Sequence, residues 1–83
     1  MPYVFLVSGA SRGLGRAITE SALAAGHHVV AGVRSPAALA DLSDRAPDHL
    51  AVVDLDVTNV EQVRAAVATA VERFGGLDVL VNN

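Results

Sequence analysis

The 83-residue chain has no cysteine, no tryptophan and no lysine, with one tyrosine and two phenylalanines. Without cysteine there are no disulfides and no thiolate metal sites. Without lysine there is no Gly-Lys-Ser/Thr, so nucleoside-triphosphate hydrolysis through a Walker A loop is excluded. All six basic residues are arginine, and the net charge is −3. That balance offers no basic field for nucleic acid or an anionic membrane. Met1 to Val7 is too short for the core of a signal peptide, and no apolar run reaches membrane-spanning length. The length limits the chain to one small domain, for which a soluble, cytoplasmic setting is the expectation.

What is present is a regular alternation of apolar runs and amphipathic stretches. Tyr3 to Ser8 reads as a buried strand, followed by a helix from Arg12 to Ala25 with Leu14, Ala17, Ile18, Ser21, Ala22 and Ala25 on its inner face. Gly26 stands where a helix C′ glycine belongs. His28 to Val33 is the second strand. Ser35-Pro36 supplies an N-cap and an N1 proline for a short helix to Leu42, with Ser43 to Asp48 as polar loop. Leu50 to Leu55 is the third strand. Thr58-Asn59-Val60-Glu61 reads as a capping box that starts a third helix, with Val60, Val63, Val67, Ala70, Val71 and Phe74 as its stripe. Gly75-Gly76 ends that helix, and Leu77 to Val81 is the fourth strand.

Strands alternating with helices imply an α/β fold with a doubly wound parallel sheet, here four strands in the order 3-2-1-4 and three helices. The first two helices would cover one face and the third helix the other. Parallel sheets are normally buried on both faces, so the pattern is that of an incomplete fold. Exposed apolar strand surface predicts aggregation or molten behaviour unless a partner or cofactor binds.

The chemistry-bearing stretch lies between the first strand and the first helix, at Ser8-Gly9-Ala10-Ser11-Arg12-Gly13-Leu14-Gly15. Glycines let a backbone approach a ligand closely, and the unpaired N–H groups of a helix N-terminus attract an anion. The common dinucleotide fingerprint G-x-G-x-x-G is not met, because Ile18 occupies its third glycine. The spacing is Gly9-x-x-x-Gly13-x-Gly15 instead. Taken alone, such a loop is also compatible with a plain strand–helix turn.

That spacing resembles the cofactor loop of the short-chain dehydrogenase/reductase family, with Ser8 where the family usually has threonine. Asp56-Val57 resembles the family's adenine-contacting Asp-Val pair. Asn82-Asn83, preceded by Leu77-Asp78-Val79-Leu80-Val81, resembles the start of its Asn-Asn-Ala-Gly motif. The matches fall in the family's order along nearly the whole chain. The resemblance implies a Rossmann-like fold, a nicotinamide cofactor, and hydride transfer between a carbonyl and an alcohol. It implies cofactor contacts at Ser8, Gly9, Ser11, Arg12, Gly13, Leu14, Gly15, Arg34, Asp56, Val57, Asn82 and Asn83. A small carbonyl or alcohol substrate and a homo-oligomeric full-length protein are implied as well. On this resemblance the 83 residues are expected to be the N-terminal part of a dinucleotide-binding domain, cut after the fourth strand.

The residues also bear on which cofactor. NAD-binding domains of this class carry an Asp or Glu about 20 residues past the glycines, where it bonds the ribose hydroxyls. Ala31 to Ser35 holds no acid there and holds Arg34 instead. With Arg12 it offers two guanidinium forks for a 2′-phosphate, which favours NADP over NAD. The plainer alternative leaves Arg34 as a solvated strand end and Asp56 as a solvated aspartate before a helix. Asp54 and Asp56 lack further nearby ligands for a metal. His27, His28 and His49 stand at strand beginnings as surface or packing residues, and Asp41, Asp44 and Asp48 as solvated loop charges.

The family's proton chemistry needs a Tyr-x-x-x-Lys pair. The only tyrosine is Tyr3 and lysine is absent, so no catalytic residue is assigned and turnover by this polypeptide alone is not expected. A non-catalytic nucleotide-binding or interaction module is the alternative from a different class. A methyltransferase-type loop is disfavoured, since it calls for an acid at the end of the second strand.

Overall fold

The computed structural model describes residues 2–83. Its order is β1 (Val4–Ser8), α1 (Gly13–Ala24), β2 (His28–Val33), a 3₁₀ turn (Pro36–Leu39) leading into α2 (Ala40–Arg45), β3 (Leu50–Asp54), α3 (Val60–Phe74) and β4 (Val79–Val81). The four strands form one parallel sheet in the order β3-β2-β1-β4. This is the topology expected from the strand–helix alternation.

The side-chain period of two in each strand divides the core between two faces. Val7, Val29, Ala31 and Val33 join Ala22 of α1 and Leu39 and Leu42 on one face. Val4, Leu6, Val30, Ala51 and Leu55 join Ala66 and Ala70 of α3 on the other. Strands β1 and β2 are apolar at nearly every position because both of their faces are covered.

Two helix ends follow directly from local chemistry. Gly26 adopts φ +85°, and the His27 and Gly26 N–H groups donate to the carbonyls of Ala22 and Leu23. That pair of bonds is a Schellman cap, which only a residue tolerant of the left-handed region closes without strain. Gly75 ends α3 in the same region, at φ +86°.

Several local expectations are corrected. Helix α1 begins at Gly13 and ends at Ala24, since Arg12 is extended at the N-cap. Its inner face is Gly15, Thr19 and Ala22, with Ile18 half-buried, while Leu14, Ala17, Ser21 and Ala25 are exposed. Two inward glycine and threonine positions rotate the stripe away from the one that hydropathy favours. Ser35 makes no side-chain cap bond. The helix expected to stop at Leu42 runs on to Arg45, so Ser43, Asp44 and Arg45 are helical, and the Arg45 guanidinium lies beside Glu20 and Asp41.

The third helix is capped by Asn59, whose Oδ1 accepts from the Gln62 N–H at 3.2 Å. Thr58, expected as the cap, stands one residue before it and turns its hydroxyl to Asp56 Oδ1, donating at 2.7 Å. On α3, Ala66 and Ala70 are buried, whereas Val60 and Val71, expected inside, are exposed. Strand β3 stops at Asp54, and the β4 ladder starts only at Val79, with the Val4 N–H donating to the Asp78 side chain.

Candidate functional site

The carboxyl ends of the strands converge on a crevice of about 290 Å³. From the β1 loop come Ser8, Gly9 and Ser11. The end of β2 and the following turn supply Gly32, Val33, Arg34, Ser35 and Ala38, the residues after β3 supply Leu55, Asp56 and Val57, and Asn83 closes the wall beyond β4. This is where the sheet order reverses, the usual ligand position in open α/β sheets. A second hollow of about 350 Å³ lies between α1 and α2 and contains Leu23, Ala24, Leu42 and Ala46. Its two charged residues, Glu20 and Arg45, are paired with each other. Of these two, the crevice is the one that gathers polar groups from several elements.

The glycines have separable roles. Gly9 and Gly13 each adopt φ +60°, a region that disfavours side chains. A Cβ on Gly13 would meet nothing within 4 Å. A Cβ on Gly15 would lie 2.2 Å from the Gly9 carbonyl oxygen and 2.8 Å from Asn83 Nδ2, so Gly15 permits the close seating of α1 under the loop. The first helical bond of α1 runs from the Arg16 N–H to the Arg12 carbonyl. No side chain caps this end and no acid stands in its first turn, so its leading N–H groups are open to an anion.

Ser8 is buried, and its hydroxyl accepts the Asn83 N–H at 3.0 Å and donates to the Val81 carbonyl at 3.3 Å. Asn83 Nδ2 donates to the Gly9 carbonyl at 3.2 Å, an amide bond to loop backbone of the kind the Asn-Asn resemblance implies. These bonds staple β1 to the segment after β4 and fix the loop's exit. Ser8 therefore shapes the site through the backbone.

Arg34 is 80% exposed at its side chain, with Nη2 3.5 Å from Asp56 Oδ2 across the crevice. Asp56 Oδ1 accepts from both the hydroxyl and the N–H of Thr58, at 2.7 and 3.0 Å. Those two bonds, with a smaller contribution from Arg34, hold its carboxyl below the usual carboxylate range. The Asp56 N–H donates to Gln62 Oε1 at 2.7 Å, which ties the turn to α3.

Of the residues singled out from the sequence, Ser8, Gly9, Ser11, Arg34, Asp56, Val57 and Asn83 line the crevice together. Arg12, Gly13, Leu14, Gly15 and Asn82 do not line it. Arg12 is exposed at the N-cap, Leu14 turns its side chain to solvent, and Asn82 is exposed. Sequence reasoning missed Gly32, Leu55 and Gln62. A Cβ at Gly32 would sit 2.4 Å from the Leu55 side chain, so that glycine lets the β3 end fold over β2. The available signal was a glycine inside a β-branched strand, which marks a close approach. Among the described residues no group of three His, Cys, Asp or Glu side chains is placed to hold a metal ion.

Comparison with known proteins accords with this arrangement. The sequence model of the family described as short chain dehydrogenase matches residues 3–83. The chain belongs to the short-chain dehydrogenase family. It is 42% identical to oxidoreductase BOA17 of Botryotinia fuckeliana over 84 residues, covering all of this chain and 31% of that protein. It is 35% identical to the NADP-dependent 3-hydroxy acid dehydrogenase YdfG of Escherichia coli, covering 96% of this chain and 32% of that one. A crystal structure of a short-chain dehydrogenase from Streptomyces avermitilis superposes with a TM-score of 0.92 at 46% identity, over all of this chain and 31% of its own. The chain thus spans about a third of the length of the relatives it matches. The family is one of NAD(P)-dependent oxidoreductases, and this portion carries the crevice at the sheet's carboxyl edge.

The only tyrosine, Tyr3, lies just before β1, where its ring stacks on His27 at the opposite end of the sheet. It has no access to the crevice.

Proposed function

We propose that this chain is the NADP(H)-binding, N-terminal part of a short-chain reductase that moves hydride between nicotinamide and a carbonyl or alcohol. The observation that carries this reading is Arg34. It stands at the end of β2, where an NAD-binding site of this class needs an acid, and it lines the same crevice as the glycine loop. The named NADP dependence of the Escherichia coli relative supports the same choice.

In this reading the open N–H groups at the start of α1 hold the pyrophosphate. The Arg34 fork, with Arg12 approaching from the N-cap, takes the 2′-phosphate. Asp56 accepts from the adenine amino group, Val57 borders the ring, and Asn82 and Asn83 support the loop. The Arg34–Asp56 pair is exposed and long, so a phosphate and an adenine displace it at little cost. When bound, the nicotinamide supplies the hydride, and the proton relay lies outside these 83 residues. The full-length protein is read as a cytoplasmic homo-oligomer acting on a small-molecule substrate.

The test is calorimetric titration with 2′,5′-ADP and with 5′-AMP. The expected outcome is 2′,5′-ADP binding about tenfold or more tightly, as a charge-assisted phosphate contact provides. Arg34→Ala should erase that preference. Equal affinities in the parent chain would remove the case for NADP, and NADPH oxidation by the pure chain would refute its proposed inactivity.

A further inference from the structure

Arg16 sits one turn into α1, on the side facing α2. Its Nη2 lies 2.5 Å from Asp41 Oδ2, its Nε lies 3.3 Å from Glu20 Oε2, and its Nη1 donates to the Ala38 carbonyl at 3.4 Å. Its side chain is only 26% exposed. Arg45 approaches the same two acids, at 3.8 Å from Glu20 and 3.9 Å from Asp41. The hydrogen bond to Asp41 is the main reason that the Arg16 guanidinium is held more firmly protonated and the Asp41 carboxyl falls below its ordinary range.

The Arg16 contacts join two parts of the crevice, in addition to the bond from the Ala10 N–H to the Gly32 carbonyl at 3.1 Å. Helix α1 carries the open N–H groups of the glycine cradle. The Pro36–Leu39 turn begins two residues after Arg34, and its Ala38 forms part of the crevice wall beside Arg34 and Ser35. The turn has no side-chain cap, and the helix after it is six residues long, too short to hold its own place. Burial of Leu39 and Leu42 in one cluster with Ala22 of α1 fixes its depth against the sheet, and the Arg16 contacts add a polar tie nearer the crevice. A planar guanidinium with five donors reaches a carbonyl and two carboxylates at once, which an ammonium does not do in one geometry.

We propose that Arg16 is a positioning residue for the crevice. It clamps the turn after Arg34 to the cradle helix, setting the separation of the two anion-holding points and so the preference for a 2′-phosphorylated adenosine ligand. The inference rests on the NADP reading above. A purely structural role would weaken all ligands alike, whereas a positioning role alters the ratio between ligands that share the cradle and differ at the 2′ position.

The experiment titrates 2′,5′-ADP and 5′-AMP into the full-length parent protein and its Arg16→Met, Arg16→Lys and Asp41→Asn variants. In Arg16→Met the ratio of the two affinities should fall about three- to tenfold, the range of a strained charge-assisted contact, with 5′-AMP changed less than about twofold. Arg16→Lys should be intermediate, because it keeps the charge and loses the fork. Asp41→Asn breaks the same clamp from the α2 side and carries the test if Arg16→Met does not fold. A parent that prefers 2′,5′-ADP and loses that preference in Arg34→Ala, yet keeps it in both Arg16→Met and Asp41→Asn, overturns the inference and leaves the NADP reading standing. A parent without any preference overturns both.

Discussion

Single residues in the glycine loop differ in what they tolerate, and the differences are geometric. Gly15 is packed against the Gly9 carbonyl, so Gly15→Ala must push backbone away from backbone. The expected cost is about 2–3 kcal/mol, the upper range for overpacking. Gly13→Ala meets open space but keeps φ +60°, for a cost of about 1 kcal/mol. Amide hydrogen exchange of β1 should therefore speed up more in Gly15→Ala than in Gly13→Ala, and equal effects would contradict the packing account. The glycine spacing was legible in the sequence because few backbones need three glycines at those intervals. The division of labour among them was not. It depends on the approach of Asn83 and Gly9, about seventy residues apart. Ser8 shows the same limit, since its place in the motif was readable and its bonds to Val81 and Asn83 were not.

At the scale of elements, the strands and their order followed from apolar runs, glycine stops and alternation. Helix faces were harder. Hydropathy put Leu14 and Val60 inside, but a helix stripe is set by what packs on it, and here small residues such as Gly15, Ala66 and Ala70 make the closest contacts. The strand beginnings carry a titratable feature of their own. The His28 and His49 rings stack at 4.5 Å, Phe74 lies 4.7 Å from His28, and Arg73 donates to the Leu50 and Pro47 carbonyls nearby. Burial, with the neighbouring His49 and His27, pushes the His28 imidazole below the ordinary value of 6.5. A basic group with a depressed pKa binds its proton less readily in the fold, so the unfolded chain takes up that proton first. Its contribution to stability is whole above pH 6.5 and is lost as pH falls below that value. Hydrogen exchange, corrected for its intrinsic pH dependence, should show β1 and β2 losing protection between pH 7 and pH 5. His28→Phe should flatten that dependence, and an unchanged profile in the variant would dissociate it from the stack.

For the molecule as a whole, apolar surface remains uncovered. Leu14 and Leu80 are 67% and 66% exposed, and Val57, Val60 and Val71 are more than half exposed. β4 is an edge strand of three residues. Exposed apolar surface of this kind favours association and loosened packing. The isolated 83-residue chain is expected to bind a hydrophobic dye and to unfold over a broad temperature range, or to aggregate, with saturating NADPH narrowing the transition. A sharp, cooperative transition of the ligand-free monomer would count against this expectation.

The strand order has a temporal consequence. β1 lies between β2 and β4, and its bonds to Val81 and Asn83 span more than seventy residues. During synthesis β1, β2 and β3 can pair as soon as they leave the ribosome, but one edge of β1 stays open until residues 79–83 follow. The glycine loop takes its final shape only then, because the Gly9 carbonyl and the Ser8 hydroxyl wait for Asn83. Of the four strands here, β1 is made before the others yet gains its second neighbour last, and the Asn83 side of the crevice forms only at that point.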